Sequence, residues 1–218
     1  MARLNAKNVR FDVGAGGVTD LTPADIAGAL GYVPAGLGRE LLCTKWWPDG
    51  SSRTSVALDH LLLHEQLAEH ARREESMYRA LAALACREKG TDTRKIEQKY
   101  AEAHARRWPQ WVIKLEPLTV TQGYELIRGA VVEEITSPKV CPECTGRAER
   151  MVGQLLQKCD RCEGTGTVRF GPTWRAKRLR MKEASYKQTW ERPYEWLLDL
   201  CAAKLRGAEN DLLAAIAD

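Results

Sequence analysis

The stretch CPECTGRAERMVGQLLQKCDRCEGTGTVRF, residues 141–170, decides how this chain is organised, because it places four of its seven cysteines within 22 positions. The four form two pairs with two residues between partners, Cys141 with Cys144 and Cys159 with Cys162. This spacing lets both sulfurs of a pair face one tetrahedral Zn²⁺. Because four cysteine ligands leave no coordination position open for water or substrate, the sequence predicts one structural zinc ion.

Glycines follow the second cysteine of each pair. We call residues 144–148 the first knuckle and residues 162–166 the second knuckle. The second has glycine at both Gly164 and Gly166, which allows the positive φ angles of a tight turn, whereas the first has Gly146 but Ala148 at the other position. The sequence therefore predicts a looser first knuckle.

Other chemistry has little support in the sequence. A redox role for Cys141 and Cys144 needs the start of a helix in a strand–helix unit, which is not predicted here. His64 begins a pattern like HExxH, but residue 68 is alanine where the second histidine is required. The chain is therefore predicted not to be an enzyme and to have no catalytic residues. The remaining cysteines stand among apolar residues and are predicted to be small buried hydrophobes: Cys43, Cys86 and Cys201.

The rest of the chain has mainly helical patterns, and its 44% apolar and 28% charged content is that of a globular protein. Breaks at glycine and proline predict a short helix after Thr22, one long or two abutting helices over 55–89, and further helices over 93–108 and 121–135. An apolar stripe over 194–216 predicts a closing helix. The predicted fold is mainly α, with an inserted four-cysteine zinc-binding module and a helix-turn-helix-like C-terminal segment.

The predicted organisation has four consecutive parts. They are a flexible N-terminus at 1–20, a helical N-terminal and middle region at 21–137, the four-cysteine zinc module at 138–170, and the helix-turn-helix-like DNA-binding segment with the closing helix at 171–218. The sequence contains no run of about 18 apolar residues, and its first residues lack the apolar core of a signal peptide. It therefore predicts a cytoplasmic protein that has no membrane partner.

Positive charge is concentrated directly after the cysteine module. Residues 169–187 carry seven cationic residues and one acidic residue, a net +6, while the whole chain carries only +4. Such a concentration is typical of a phosphate-contacting surface, and an ordinary solvated helix face is the alternative. Arg175, Arg178 and Lys182 have the spacing to share one face of a short helix that begins near Thr173.

A second helix is predicted to follow and to present Lys187, Gln188 and Arg192 near its start, as in a helix-turn-helix reader of the major groove. Pro193 leaves two possibilities. It kinks this helix, or it starts it and places Lys187 and Gln188 in the connecting turn. The predicted contacts to double-stranded DNA are Arg147, Arg150, Lys158, Arg169, Arg175, Lys177, Arg178, Arg180, Lys182, Lys187, Gln188 and Arg192.

Three parts of the sequence together resemble a known family. They are CPECTG and CDRCEGTG at 141–146 and 159–166, the basic segment that follows, and the closing helix RPYEWLLDLCAAKLRGAENDLLAAI at 192–216. This combination resembles the late-gene antitermination proteins called Q of lambdoid bacteriophages, of the lambda type. ADIAGALG, AGLGRELLC and SSRTSVALDHLL resemble the N-terminal half of that family less specifically, and the likeness covers most of residues 20–218.

The resemblance implies a protein that binds DNA within a phage late promoter, engages paused host RNA polymerase and makes it read through terminators. It implies contacts with the polymerase β-flap, the σ factor and the elongation factor NusA, in the cytoplasm of the bacterial host. The inter-cysteine loop is shorter than in the lambda member, the helix-turn-helix segment is compressed, and residues 105–137 are expanded. The DNA sequence and the contact residues of the family therefore do not transfer.

Two further functions fit the same features. One is a zinc-stabilised DNA-binding transcriptional repressor. The other is a DnaJ-like zinc chaperone module, because CxxCxGxG knuckles also occur in the zinc region of those proteins. DnaJ-type proteins usually carry four such knuckles and a His-Pro-Asp tripeptide, whereas this chain has two knuckles and no such tripeptide.

Overall fold

The computed structural model describes residues 23–46, 51–86, 93–109, 120–152 and 155–217, so the predicted flexible N-terminus at 1–20 lies outside the described residues. The prediction of a mainly helical fold is confirmed. The helices are α1 (Pro23–Tyr32), α2 (Leu37–Trp46), α3 (Ser51–Ala85), α4 (Thr93–Ala105), α5 (Val120–Thr136), α6 (Pro172–Arg178), α7 (Glu183–Ser185) and α8 (Glu191–Ala217), with a π-helical turn, Tyr186–Trp190, between α7 and α8. The strands are β1 (Lys139–Val140), β2 (Glu149–Val152), β3 (Leu155–Lys158) and β4 (Thr167–Val168).

The predicted helices lie close to their expected bounds. Pro23 occupies the first position of α1, where its missing N–H has no helical partner to lose. Of the two alternatives for residues 55–89, the structure has a single helix, α3, whose sequence contains no glycine or proline. The closing helix α8 runs through Gly207 without a break.

The described residues form two compact units, each assembled from separate parts of the chain. The first contains described residues from 23–61, 130–171 and 198–217, and the second contains those from 62–129 and 172–197. Helices α3, α5 and α8 each contribute to both units, so the division follows packing and not chain order.

In the first unit, α2 and the C-terminal half of α8 lie in close contact. A Cβ atom on Gly38 would lie 2.5 Å from the carbonyl oxygen of Lys204, so only glycine fits there. Lys45 Nζ is 2.9 Å from Glu209 Oε1, and Leu41 and Leu42 are fully buried. The missing side chain of Gly38 therefore allows the helices to approach and bury these leucines.

In the second unit, the core is built around Tyr124 of α5. Its ring lies 5.2 Å from that of Trp190 and 6.3 Å from that of Trp108, and its hydroxyl donates a 2.8 Å hydrogen bond to the carbonyl of Pro109. Gly123 gives Trp190 its space, because a Cβ atom there would lie 2.4 Å from the indole ring. This aromatic cluster ties the start of α5 to the C-terminal segment.

Helix α6 is shorter than predicted, because Arg180 adopts a left-handed φ of 56°. The Met181 N–H donates to the carbonyl of Ala176 and the Arg180 N–H to that of Lys177, at 3.0 and 3.1 Å, which is the hydrogen-bond pattern of a Schellman motif. Lys182 therefore lies beyond α6. The prediction that it shares a helix face with Arg175 and Arg178 is wrong, since the chain has turned before it.

Pro193 lies inside a continuous helical run. Of the two predicted possibilities, the structure therefore has Pro193 within the second helix and not at its start. In a regular helix its ring would clash with the carbonyl of Thr189. The π-helical turn widens the helix directly ahead of it, where the Glu191 N–H donates to the carbonyl of Tyr186 five residues back. Lys187 and Gln188 consequently lie in this π-helical turn and not in a connecting loop.

Among the described residues, no helix has the combination of length and apolar character that crossing a membrane requires.

Candidate metal centre and basic segment

The four strands frame the cysteine module. β1 pairs antiparallel with β4, so that Lys139 lies opposite Val168, and β2 pairs antiparallel with β3, so that Glu149 lies opposite Lys158. Each cysteine pair follows one strand and each knuckle leads into another. The strand pairs therefore hold the two knuckles next to each other.

The pairing brings the four predicted ligands together. The Cys141 and Cys159 sulfurs are 3.9 Å apart, the Cys144 and Cys162 sulfurs are 3.6 Å apart, and all four lie within 4.8 Å of one another. All four side chains are buried and none forms a disulfide. This cluster can hold one metal ion.

The two knuckles have the same backbone conformation. Positive φ angles of 50° at Thr145 and 51° at Glu163 are followed by 85° at Gly146 and 75° at Gly164. Ala148, at 66°, matches the 75° of Gly166. The expectation of a looser first knuckle is thus wrong for the backbone, because alanine adopts here the left-handed conformation that glycine adopts at the equivalent position.

Each knuckle also supports the opposite cysteine pair. The Cys141 N–H donates to the carbonyl of Gly166, and the Cys159 N–H donates to the carbonyl of Ala148, both at 2.9 Å. The last residue of one knuckle therefore fixes the first cysteine of the other pair. Neither half of the module is complete without its counterpart.

The electrostatics of Cys162 favour the thiolate that a metal ligand requires. Burial opposes ionisation, but the Gly166 N–H, 3.3 Å from the sulfur, and the neighbouring thiols outweigh it and lower the pKa of Cys162 to about 7. Burial raises the pKa of Cys159 to about 11. A divalent cation at this centre binds thiolates, so its binding displaces the protons that remain on these thiols.

A matched pair of substitutions tests the knuckle geometry. Gly166→Ala is expected to lower the free energy of unfolding by at least about 2 kcal/mol, because it combines a positive φ with a Cβ atom 2.6 Å from the carbonyl oxygen of Gly146. Ala148→Gly relieves the equivalent strain at the cost of backbone entropy, so it is expected to change that free energy by less than about 1 kcal/mol. Urea unfolding of both variants measures the difference, and equal effects would show that the contact with Gly146 is not what requires glycine at position 166.

The predicted DNA contacts within the module are exposed but differ in their surroundings. Arg150 is 2.5 Å from Asp160 and 3.7 Å from Glu143, so its charge is largely matched. The side chain of Lys158 lies against Gly164, where a Cβ atom would come within 2.6 Å of its Cε. Arg147 is exposed. In the same unit, Arg169 pairs with Asp199 at 2.8 Å on an exposed surface.

In the second unit, an uncompensated cluster lies at the end of α6 and in the following turn. Lys177, Arg180 and Lys182 are exposed, and none forms an ion pair with any residue that the structure describes. We call these three residues the basic cluster. Nearby, Lys187 is 2.6 Å from Glu183, Gln188 is exposed, and the exposed Arg178 lies over the ring of Trp174 at 5.1 Å.

Arg175 is a correction to the predicted contact set. Its side chain is only 4% exposed, forms an ion pair with Glu195 and lies over the ring of Tyr194 at 4.7 Å. A side chain buried in this way cannot reach a phosphate without breaking the core. Arg192 is exposed, but its guanidinium donates to the carbonyl of Ala105 at the end of α4.

A second group of cations does not stand out in the sequence. Arg72 and Arg79 of α3 and Lys99 and Arg106 of the α4 region line one groove. They are dispersed along the chain and mixed with acidic residues, so a window of net charge does not show them. The repeated i, i+7 spacing within each pair, which places both members on one helix face, is the signal that finds them.

Comparison of this chain with protein-family models, with curated proteins and with solved structures gives no match.

Proposed function

We propose that this protein is a non-enzymatic transcription regulator that is stabilised by one zinc ion, binds double-stranded DNA and acts as a late-gene antiterminator of the lambda Q type. The observation that carries the DNA-binding part is the exposed basic cluster, whose three charges have no acidic partner among the described residues. Uncompensated cations at a turn between helices match the phosphate contacts that position a protein on DNA.

The sulfur geometry supports zinc as the metal. A tetrahedral ion with metal–sulfur bonds of about 2.3 Å separates its ligands by about 3.8 Å. The observed separations of 3.9 Å for Cys141 and Cys159 and 3.6 Å for Cys144 and Cys162 fit that value. Thiolates are the ligands that structural zinc prefers, and four of them close the coordination sphere, so the ion supports folding and not catalysis.

The C-terminal segment supplies the proposed reader of DNA. Helix α6, the turn that contains the basic cluster and the helical run that begins at Glu183 resemble a helix-turn-helix in order. Lys187 and Gln188 are exposed near the start of the second helix, where such motifs contact base edges. Glutamine can read adenine with two hydrogen bonds, while the basic cluster contacts phosphates.

The antitermination part of the proposal rests on the family resemblance. It assigns as partners a late-promoter DNA site and the host RNA polymerase, through its β-flap and σ factor, together with NusA. In vitro transcription across a terminator, from the late promoter of the same phage, tests this part. We expect read-through to rise when the protein is added. If polymerase stops equally often with and without the protein while DNA binding is intact, a repressor is the correct reading.

A DnaJ-like chaperone module is the second candidate, and one observation favours it. The hairpin of β2 and β3 exposes four aliphatic side chains, between 44% and 67% accessible: Met151, Val152, Leu155 and Leu156. Exposed apolar patches mark binding sites for other proteins. Suppression of the aggregation of an unfolded protein, lost on replacing these residues with serine, would favour this candidate over DNA binding.

The basic cluster provides a direct test of DNA binding. The triple variant Lys177→Gln/Arg180→Gln/Lys182→Gln is expected to bind every duplex more weakly and to reduce the slope of log affinity against log salt by about 2.7, since each phosphate contact contributes about 0.9. Fluorescence anisotropy with a labelled duplex over a salt series measures both quantities.

The matched control changes three groove cations of the same unit, in the variant Arg79→Gln/Lys99→Gln/Arg106→Gln. It removes the same number of charges, so a nonspecific effect of net charge would lower both slopes equally. An unchanged slope in the basic-cluster variant would remove these residues from the DNA interface.

A further inference from the structure

The groove between α3 and α4, which lies within the second unit, has a volume of about 930 Å³ and a strongly cationic lining. We call it the α3–α4 groove. Its apolar lining consists of small and aliphatic side chains, Ala80, Ala83, Ile96 and Ala103. Its cationic lining consists of Arg72, Arg73, Arg79, Lys99, Arg106 and Arg192.

The positive charge of the groove is only partly balanced. Glu69 accepts hydrogen bonds from both Arg72 and Arg73, and Arg79 is 2.6 Å from Glu75. Of the two acidic residues in the lining, Glu195 is already paired with Arg175 outside the groove, which leaves Glu102. Six cations thus face three available carboxylates, an excess of three positive charges.

Lys99 and Arg106 account for much of this excess. Neither forms an ion pair with any residue in the described part of the chain, although Glu102 stands between them in sequence. Glu102 instead accepts a 3.0 Å hydrogen bond from Gln98. The two cations are therefore available to an anionic ligand.

The apolar face of α4 is also incompletely covered. The helix is amphipathic, yet none of its described side chains is buried: Ile96, Tyr100 and Ala103 are only half-buried. An amphipathic helix normally buries its apolar stripe against a neighbour, so part of this surface awaits a partner.

The side chains that line the groove indicate which kind of ligand it can bind. A DNA duplex is too wide for a groove between two helices, and single-stranded nucleic acid sites use aromatic platforms, whereas the described residues that line this groove include no aromatic side chain. Small and aliphatic residues flanked by arginine and lysine suit a helix that has one apolar face and carboxylates beside it. Arginine pairs with carboxylates through two parallel hydrogen bonds, which fixes the orientation of such a helix.

We propose that the α3–α4 groove binds an acidic amphipathic helix of a partner protein, with its apolar side chains against Ala80, Ala83 and Ile96 and its carboxylates on Lys99 and Arg106. The inference does not rest on the proposed DNA-binding function. It assigns to the second unit a protein-docking surface that differs from the basic cluster in both composition and shape.

The test uses two synthetic helical peptides of about 15 residues, the length at which an isolated helix becomes stable. Both carry leucine at i, i+3, i+4 and i+7, and they differ only in flanking glutamates or flanking lysines. The full-length, zinc-loaded protein is expected to bind the glutamate peptide in fluorescence anisotropy and not the lysine peptide, because like charges across an interface are strongly unfavourable.

Variants locate the site. The triple variant Arg79→Gln/Lys99→Gln/Arg106→Gln is expected to weaken binding of the glutamate peptide by about tenfold or more, while Lys177→Gln/Arg180→Gln/Lys182→Gln leaves it unchanged. Amide resonances of Ser76 and Ala103 are expected to shift on addition of the glutamate peptide.

Three results would overturn the proposal. They are no binding of the glutamate peptide, an equal loss in both triple variants, or shifts at Ser76 and Ala103 with oligothymidine or tripolyphosphate but not with the peptide. The last result would identify a site for phosphate-bearing ligands. Duplex binding is measured on the same preparations, so failure of the groove and failure of the DNA interface are separate outcomes.

Discussion

Cys159→Ser is expected to release the metal and to unfold residues 139–168. Binding of zinc to a site of four cysteines contributes roughly 10–16 kcal/mol, and in a module of this size that energy is folding energy. The Cys159 N–H also anchors the first knuckle through the carbonyl of Ala148, so both halves lose order together. Elemental analysis should give one zinc per wild-type chain and none in the variant.

Cys86→Ser provides the matched control, because this cysteine lies outside the cluster and is exposed, so the prediction that it is buried is wrong. It is expected to retain one zinc and the dispersed amide resonances of the module. Retention of stoichiometric zinc by the Cys159→Ser protein would show that the four sulfurs do not form the metal centre.

Gly123→Ala is expected to destabilise the second unit by about 1–3 kcal/mol, the usual cost of overpacking. The new methyl group would lie 2.4 Å from the indole ring of Trp190, which is itself nearly buried and packed on Tyr124. The ring therefore has little room to move away. The free energy of unfolding in urea measures the effect.

Gly129→Ala, on the same helix, is the control with the opposite sign. Apart from the adjoining backbone of α5, no atom of the described residues lies within 4 Å of the added methyl group, so the substitution is expected to stabilise the protein by up to about 1 kcal/mol through helix propensity. In a Trp190→Ala background the cost of Gly123→Ala should largely disappear. Persistence of that cost would assign it to some other neighbour than the indole.

The metal centre could be predicted because its determinants are local in sequence. Two residues between paired cysteines fix how the sulfurs of each pair face one ion, and the glycines that follow fix the turns. The sequence did not indicate that Ala148 adopts the conformation of Gly166. That outcome depends on the hydrogen bond between its carbonyl and Cys159, which only the assembled module provides.

The basic segment could be predicted only in part, because charge density does not reveal which charges are buried. Arg175 has the same local sequence character as Arg178, yet it is held by Glu195 and Tyr194 twenty and nineteen positions further along the chain. The left-handed conformation of Arg180, which ends α6, is likewise unusual for arginine. Neighbours brought by the fold decide the burial of Arg175, whereas the turn at Arg180 is held by local hydrogen bonds to Ala176 and Lys177.

The α3–α4 groove could not be predicted from the sequence, because only the fold brings its residues together. Its cations come from two helices and from the start of α8, and each stretch taken alone has the mixed charge of an ordinary solvated helix. Only the packing of α3 beside α4 brings Lys99 and Arg106 to the same surface as Arg72 and Arg79. Helical spacing indicates which residues of one helix share a face. It does not indicate which face of a neighbouring helix packs against them.

The pairing of β1 with β4 brings the two ends of the cysteine module together. Because Lys139 and Val168 are opposite each other, the chain enters and leaves within about 5 Å, the separation of paired residues on neighbouring strands. Changes of length or sequence between Val140 and Thr167 are therefore expected to leave the two ends of the module in place.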